Sequence, residues 1–270
     1  METRDRRQRD LTNLGMYLRM CDTSRVTVVS ETAFGRVERN SLRLAAVLLF
    51  AGVLITAIAG FLHPEGPAAN DHQAVFAVYA ASNSWTGVHL GQFIGMVIIT
   101  FGLVALYFAL DARSGMALWL NRFALLSAGA AIAIYAVLQA VDGVGLKQAV
   151  NAWASVGNGD KAVRFTAAET VRWLEWALRS YHSIVFGLAL ILFGAVIAAV
   201  LDRVSRLIGY LMALSGLCYL AQGWIIGTRG FSSANRIPTL LGIVLIVVWA
   251  VWLLIAALRM KTAAPHEATK

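Results

Sequence analysis

The sequence predicts an all-α integral membrane bundle of six transmembrane helices, with short helices in the extracytoplasmic loops. Three observations carry that prediction. Of 270 residues, 59% are hydrophobic and only 14% are charged, whereas soluble domains carry about 25% charged residues. The apolar residues come in blocks rather than as amphipathic stripes. A hydrocarbon core about 30 Å thick needs about 20 apolar residues at a helical rise of about 1.5 Å. Six blocks meet that need, over residues 44–62, 88–110, 123–141, 184–201, 207–226 and 240–258. Backbone groups in lipid must be satisfied internally, so each block is a helix unless the chain closes into a barrel. A barrel would alternate polar and apolar residues, and these blocks do not.

Residues 1–41 are polar and Arg-rich without a sustained period, and read as a mostly disordered cytoplasmic tail. Met16 and Met20 are alternative translation starts within it. The first apolar block begins too late and runs too long for a cleavable signal peptide. The transmembrane domain is expected over 42–260, followed by a short cytoplasmic tail over 261–270. The net charge of +8 does not point to nucleic acid, because nine of the 23 Lys and Arg precede residue 44, beside the first apolar block. That placement fits anionic lipid headgroups and the charge bias of membrane insertion. With both termini in the cytoplasm, 16 Lys and Arg fall inside and seven outside. The expected location is therefore the inner (plasma) membrane of a cell, with the lipid bilayer as the first partner. Cys21 and Cys218 are too few and too scattered for a disulfide framework or a cysteine metal site.

Two outer loops carry structure of their own. Asn70 with Gln73 resembles a capped helix start, and residues 71–82 are expected to lie on the membrane through Val75, Phe76, Val78 and Tyr79. The segment 142–179 reads as helix, a turn at Gly157-Asn158-Gly159-Asp160, and helix. In its second half Arg172, Glu175, Arg179 and His182 fall on one helical face, and Glu175 stands four residues before Arg179, the favourable order for an ion pair. Trp173 and Trp176 suit the headgroup level.

The second and fourth blocks resemble one another. His89 and Phe93, then Phe101-Gly102, then Asp111 and Arg113 match His182 and Phe186, Phe193-Gly194, and Asp202 with Arg203. The helices that follow carry Tyr135 with Gln139 and Tyr219 with Gln222. A two-helix duplication and a chance alignment of apolar helices both account for this.

No soluble-enzyme signature is present, and Gly143-Val144-Gly145 lacks the strand and third glycine of a dinucleotide site. The ionisable residues near the membrane are more informative. His63, His72, His89, Asp142, Glu175 and His182 all map to the outer side, while His266 lies in the C-terminal tail. One reading is interfacial decoration, favoured for His63 and His72. The other is a ligand site at the outer mouth, built from His89, Gln92, Asp142, Glu175, Arg179 and His182. His89 and His182 are also the residues that would hold a divalent metal or a haem iron. Gly91-x-x-x-Gly95 and Gly52-x-x-x-Thr56-x-x-x-Gly60 favour close helix packing in lipid, within the chain or between copies in a homo-oligomer.

The stretch from His63-Pro64 through Asn70-Asp71-His72, with 88–93 and 171–176, resembles a group of uncharacterised bacterial polytopic membrane proteins. The resemblance covers 44–258 and implies six helices without an activity. Three functions remain open: a small-ligand or lipid binding or transport module, a haem or metal redox protein, and a structural or partner-binding subunit.

Overall fold

The computed structural model of the protein describes residues 38–64, 66–201 and 203–260, so the expectations for the tails, including His266, lie outside the described residues. Among these the chain is helical and has no strand. In chain order the helices are α1 (Arg39–Phe61), α2 (His72–Ala81), α3 (Trp85–Ala109), α4 (Gly115–Ala140), α5 (Lys147–Ser155), α6 (Lys161–Val200), α7 (Arg203–Arg229) and α8 (Arg236–Arg259). Six of the helical stretches are long and apolar enough to cross a membrane. The chain is built as a multi-pass membrane protein.

The six apolar blocks each fall in a helix, but two helices run far beyond them. A π-helical turn over Val141–Leu146 joins α4 to α5 without a break, and α6 runs 40 residues unbroken. At about 1.5 Å per residue α6 is roughly 60 Å long, about twice the hydrocarbon thickness. The helix, turn and helix expected in 142–179 are present, with the turn at 157–160, but both helices are continuous with spanning helices. Neither Gly nor Pro interrupts 161–186, so nothing in the backbone stops the helix where the hydropathy falls. Arg43 donates hydrogen bonds to the carbonyls of Ala257, Leu258 and Met260, fastening α1 to the last turn of α8. Both described chain ends therefore share one end of the bundle. The opposite end carries α2, α5 and the first half of α6, and is here called the capped end.

The cap corrects two expectations. The cap residue of α2 is Asp71, whose carboxylate accepts from the Ala74 amide at 3.2 Å; Asn70 donates instead to the Arg229 carbonyl at 2.9 Å. Val75, Phe76 and Tyr79 are buried against protein, packed with Leu146, Val150, Trp153 and Ala168 rather than laid on lipid. The extended α5 and α6 supply the apolar surface that a membrane would otherwise have offered.

Close glycine contacts set the helix pairs. A Cβ on Gly52 would lie 2.7 Å from the Gly95 carbonyl, so α1 and α3 approach backbone to backbone. The small-residue stripes of α1 and α3 are thus used inside the chain. The α6–α7 pair crosses more tightly still, Gly187 opposing Gly216 and Gly194 opposing Gly209. The two halves of the sequence repeat pack differently. In α3 the tight partner is the helix before it, α1, and in α6 the helix after it, α7.

Candidate functional site

Two adjoining cavities at the capped end hold the expected site residues. The outer one, about 250 Å³, is lined by polar and aromatic residues from four helices, the π-helical turn and two loops. The deeper one, about 430 Å³, is mostly apolar and reaches Trp249 of α8. Gln92 and Arg179 line both, so the two are neighbours across these side chains.

The outer cavity is organised by the π-helical turn. Trp85 donates its indole N–H to the Asp142 carbonyl at 2.9 Å, and Thr86 its hydroxyl to the Gly143 carbonyl at 2.8 Å. Widened turns of this kind are common at functional sites, because they free carbonyls from the regular ladder. A Cβ on Gly143 would sit 2.7 Å from the His89 Cβ, so α3 comes this near only because the residue is glycine. His89 is consequently held at both ring nitrogens. Nδ1 donates to the Trp85 carbonyl at 2.8 Å, and Nε2 meets the Asp142 carboxylate at 3.0 Å. Since Nδ1 must carry its hydrogen, His89 and Asp142 hold one further proton between them, as imidazolium and carboxylate or as imidazole and carboxylic acid.

Glu175 pairs with Arg172, three residues before it, and not with Arg179 as the spacing of four suggested. Both partners are 3% exposed. The choice follows from what surrounds Arg172: its guanidinium lies 5.0 Å from the Phe231 ring, 5.5 Å from Tyr79 and 5.9 Å from Trp176. Arg172 also donates to the Ala69 carbonyl at 3.4 Å. It thereby ties α6 to the loop before α2, to α2 itself and to the loop before α8. Aromatic faces stabilise a desolvated cation, and no such cage surrounds Arg179.

Arg179 makes no ion pair among the described residues; its guanidinium lies beside the Tyr135 hydroxyl, and its Nε is buried without a partner. His182, one turn further into the bundle, is 2% exposed with neither ring nitrogen hydrogen-bonded. Its ring packs on Tyr135 and Phe186, with centroids 4.5 and 5.7 Å away, and borders the deep cavity. Below it the walls are Met96, Ile99, Leu190, Ile246 and Trp249. On one side the lining includes Ala57 and Gly60 of α1 with Ile243 and Val247 of α8, all four exposed. The cavity therefore opens sideways between α1 and α8.

All six expected site residues line one of the two cavities: His89, Gln92, Asp142, Glu175 and Arg179 the outer, and Gln92, Arg179 and His182 the deep one. His89 and His182, paired at the sequence level, are separated into different cavities, one with both nitrogens engaged and the other with both free. Among the described residues no group of three or more His, Cys, Asp or Glu is arranged to hold a metal ion.

Other members escaped the sequence reading. His63, assigned to the interface beside Pro64, faces the His89 ring at 5.4 Å and that of Trp85 at 4.9 Å. Burial, with the adjacent His89, lowers its pKa from the ordinary histidine value. His72 is bonded to Glu169 at 2.9 Å and serves the cap. Gln139 donates to Gln92 at 3.4 Å, and Gln222 links Ser183 to Thr239 in the wall of the deep cavity. The Tyr135/Gln139 and Tyr219/Gln222 pairs were the available signal, since polar side chains inside a spanning helix face the bundle.

Comparison with known proteins finds no matching family, no similar curated protein and no solved structure of matching fold.

Proposed function

We propose that this membrane protein binds a small apolar-bodied ligand taken from the bilayer, in a site at the extracytoplasmic mouth of its bundle. The deep cavity carries the reading: 430 Å³ falls in the range of about 300–1,000 Å³ typical of small-molecule sites. Its walls combine apolar side chains with a few convergent polar groups, the usual composition of such sites. The lateral opening between α1 and α8 supports entry from lipid, and the polar outer cavity above it supports contact with water.

A photoactivatable ten-carbon alcohol tests this. In the native protein it is expected to label Met96 and Ile246 saturably, with unlabelled decanol competing. Ala57→Trp combined with Val247→Trp, which fills the opening, should reduce that labelling several-fold and leave labelling of the exposed Leu126 unchanged. Labelling spread over lipid-facing residues without saturation would remove the cavity from consideration as a ligand site.

The proposed orientation places both termini in the cytoplasm and the capped end outside, on the strength of 16 against seven basic residues. Ser233 is exposed in the loop before α8. In a Cys21→Ser, Cys218→Ala background, Ser233→Cys is expected to react with an impermeant maleimide in intact cells. Reaction only after permeabilisation would invert the topology.

A further inference from the structure

We infer that the deep cavity takes a single-chain anionic amphiphile, its carboxylate or phosphate head held by Arg179 and His182 and its chain lying along Met96, Ile246 and Trp249. The inference rests on the cavity being a ligand site and adds the chemistry of the ligand.

Charge matching at the capped end identifies the head group. The carboxylate of Glu175 is taken by Arg172, and that of Asp142 by His89. Arg179 is left over, a cation just before the apolar block 184–201, with no ion-pair partner among the described residues and with its Nε buried and unpartnered. Charges within a membrane bundle pair with one another or mark a path for a charged ligand, and a buried donor without an acceptor is costly. An anionic oxygen supplied from outside the chain satisfies it. His182 points the same way: a ring 2% exposed, packed against Tyr135 and Phe186 beside the cavity, with both nitrogens buried and unpartnered. A neutral imidazole has one N–H to donate. Guanidinium and imidazole thus offer donors at one end of the cavity, whose own lining holds no carboxylate; Arg179 also lines the outer cavity, where the carboxylates of Glu175 and Asp142 are already taken by Arg172 and His89.

Volume and shape set the rest of the ligand. At about 30 Å³ for each water-sized group, 430 Å³ accommodates about 14 of them. That suits a head group with about ten carbons, the size of a single-chain amphiphile. The chain would meet Met96, Ile246 and Trp249, and the gap beside Ile243 and Val247 lets a longer tail continue into the bilayer.

The test is competition against the photoactivatable alcohol by decanoate, decyl phosphate, decanol and inorganic phosphate, on the full-length protein in phosphatidylcholine nanodiscs. Decanoate and decyl phosphate are expected to compete at least about tenfold better than decanol, the value of one hydrogen bond to a charged group. Inorganic phosphate, lacking a chain, should compete poorly. In Arg179→Gln the preference should collapse to within about twofold while decanol competes as before, and Arg179→Lys should keep part of it. Equal competition by acid and alcohol on the native protein overturns the inference, whether or not the variants fold. An acid preference that survives in Arg179→Gln overturns it too. Inorganic phosphate competing as well as decyl phosphate would mean a plain anion site. Failure of decanol to compete at all would instead strike the underlying cavity reading.

Discussion

Gly194→Leu is expected to destabilise the bundle by about 3 kcal/mol or more, the upper end of the cost of overpacking a close-packed interior. A Cβ at this position would lie 2.5 Å from the Gly209 carbonyl oxygen and 2.7 Å from the Ala213 nitrogen. Both obstacles are backbone of α7, so no rotamer change relieves them, and α6 and α7 must move apart. The damage spreads, because Gly187 against Gly216 and Ser180 against Gly223 continue the same seam, the last with a 2.7 Å hydrogen bond from the Ser180 hydroxyl to the Gly223 carbonyl. Ser180 stands one residue from Arg179, so the unzipped seam also loosens the wall of both cavities. The matched control is Gly129→Leu on α4, where a Cβ meets nothing within 4 Å. There the same substitution should be neutral or slightly stabilising, since leucine exceeds glycine in helix propensity by roughly 0.5–1 kcal/mol. Thermal melting of the two variants in one detergent decides. Comparable melting points would show that the glycine seam is not what holds α6 to α7.

That seam left a signal in the sequence that the reading of small-residue stripes, confined to α1 and α3, passed over. Gly187 and Gly194 are seven residues apart, as are Gly209, Gly216 and Gly223, and a repeat of seven keeps one helix face on a partner. The apolar blocks were legible, because bilayer thickness imposes their length. Hydropathy reports where lipid ends, not where a helix ends, so the extensions of α4 through the π-helical turn and of α6 beyond the membrane were hidden. For the same reason Val75, Phe76 and Tyr79 read as a membrane-facing stripe. Their partners, Leu146, Val150 and Ala168, come from a part of the chain whose position only the fold determines.

The site shows the same division. Helical spacing placed Arg172, Glu175, Arg179 and His182 on one face, and the structure gathers them at the two cavities. Spacing does not choose between the i,i+3 and i,i+4 partners of Glu175. That choice belongs to Phe231 and Tyr79, remote in sequence, which cage Arg172 and leave Arg179 unmatched. Asp142 was visible as an acid beside an apolar block, but its bond to His89 depends on a widened turn and on glycine at 143.

Glu175→Leu is expected to cost about 3–5 kcal/mol, because it strands the Arg172 guanidinium in a site only 3% exposed. Arg172→Leu should cost as much, stranding the carboxylate and also removing the contacts to Ala69, Tyr79 and Phe231 that hold the cap down. The double variant Arg172→Leu/Glu175→Leu should lie well below the sum of the singles, since a buried pair replaced by apolar side chains often folds as well as the original. The residual cost of the double variant then measures what the aromatic cage and the Ala69 bond contribute beyond the ion pair. Hydrogen exchange locates the effect. Amides of α2 should open faster in both single variants, while those of the α6–α7 seam around Gly194 keep their protection, because the two regions share no side chain. Additive costs in the cycle would mean that Arg172 and Glu175 act independently despite their contact. Uniform loss of protection across the bundle would mean that the cap and the membrane core unfold as one unit.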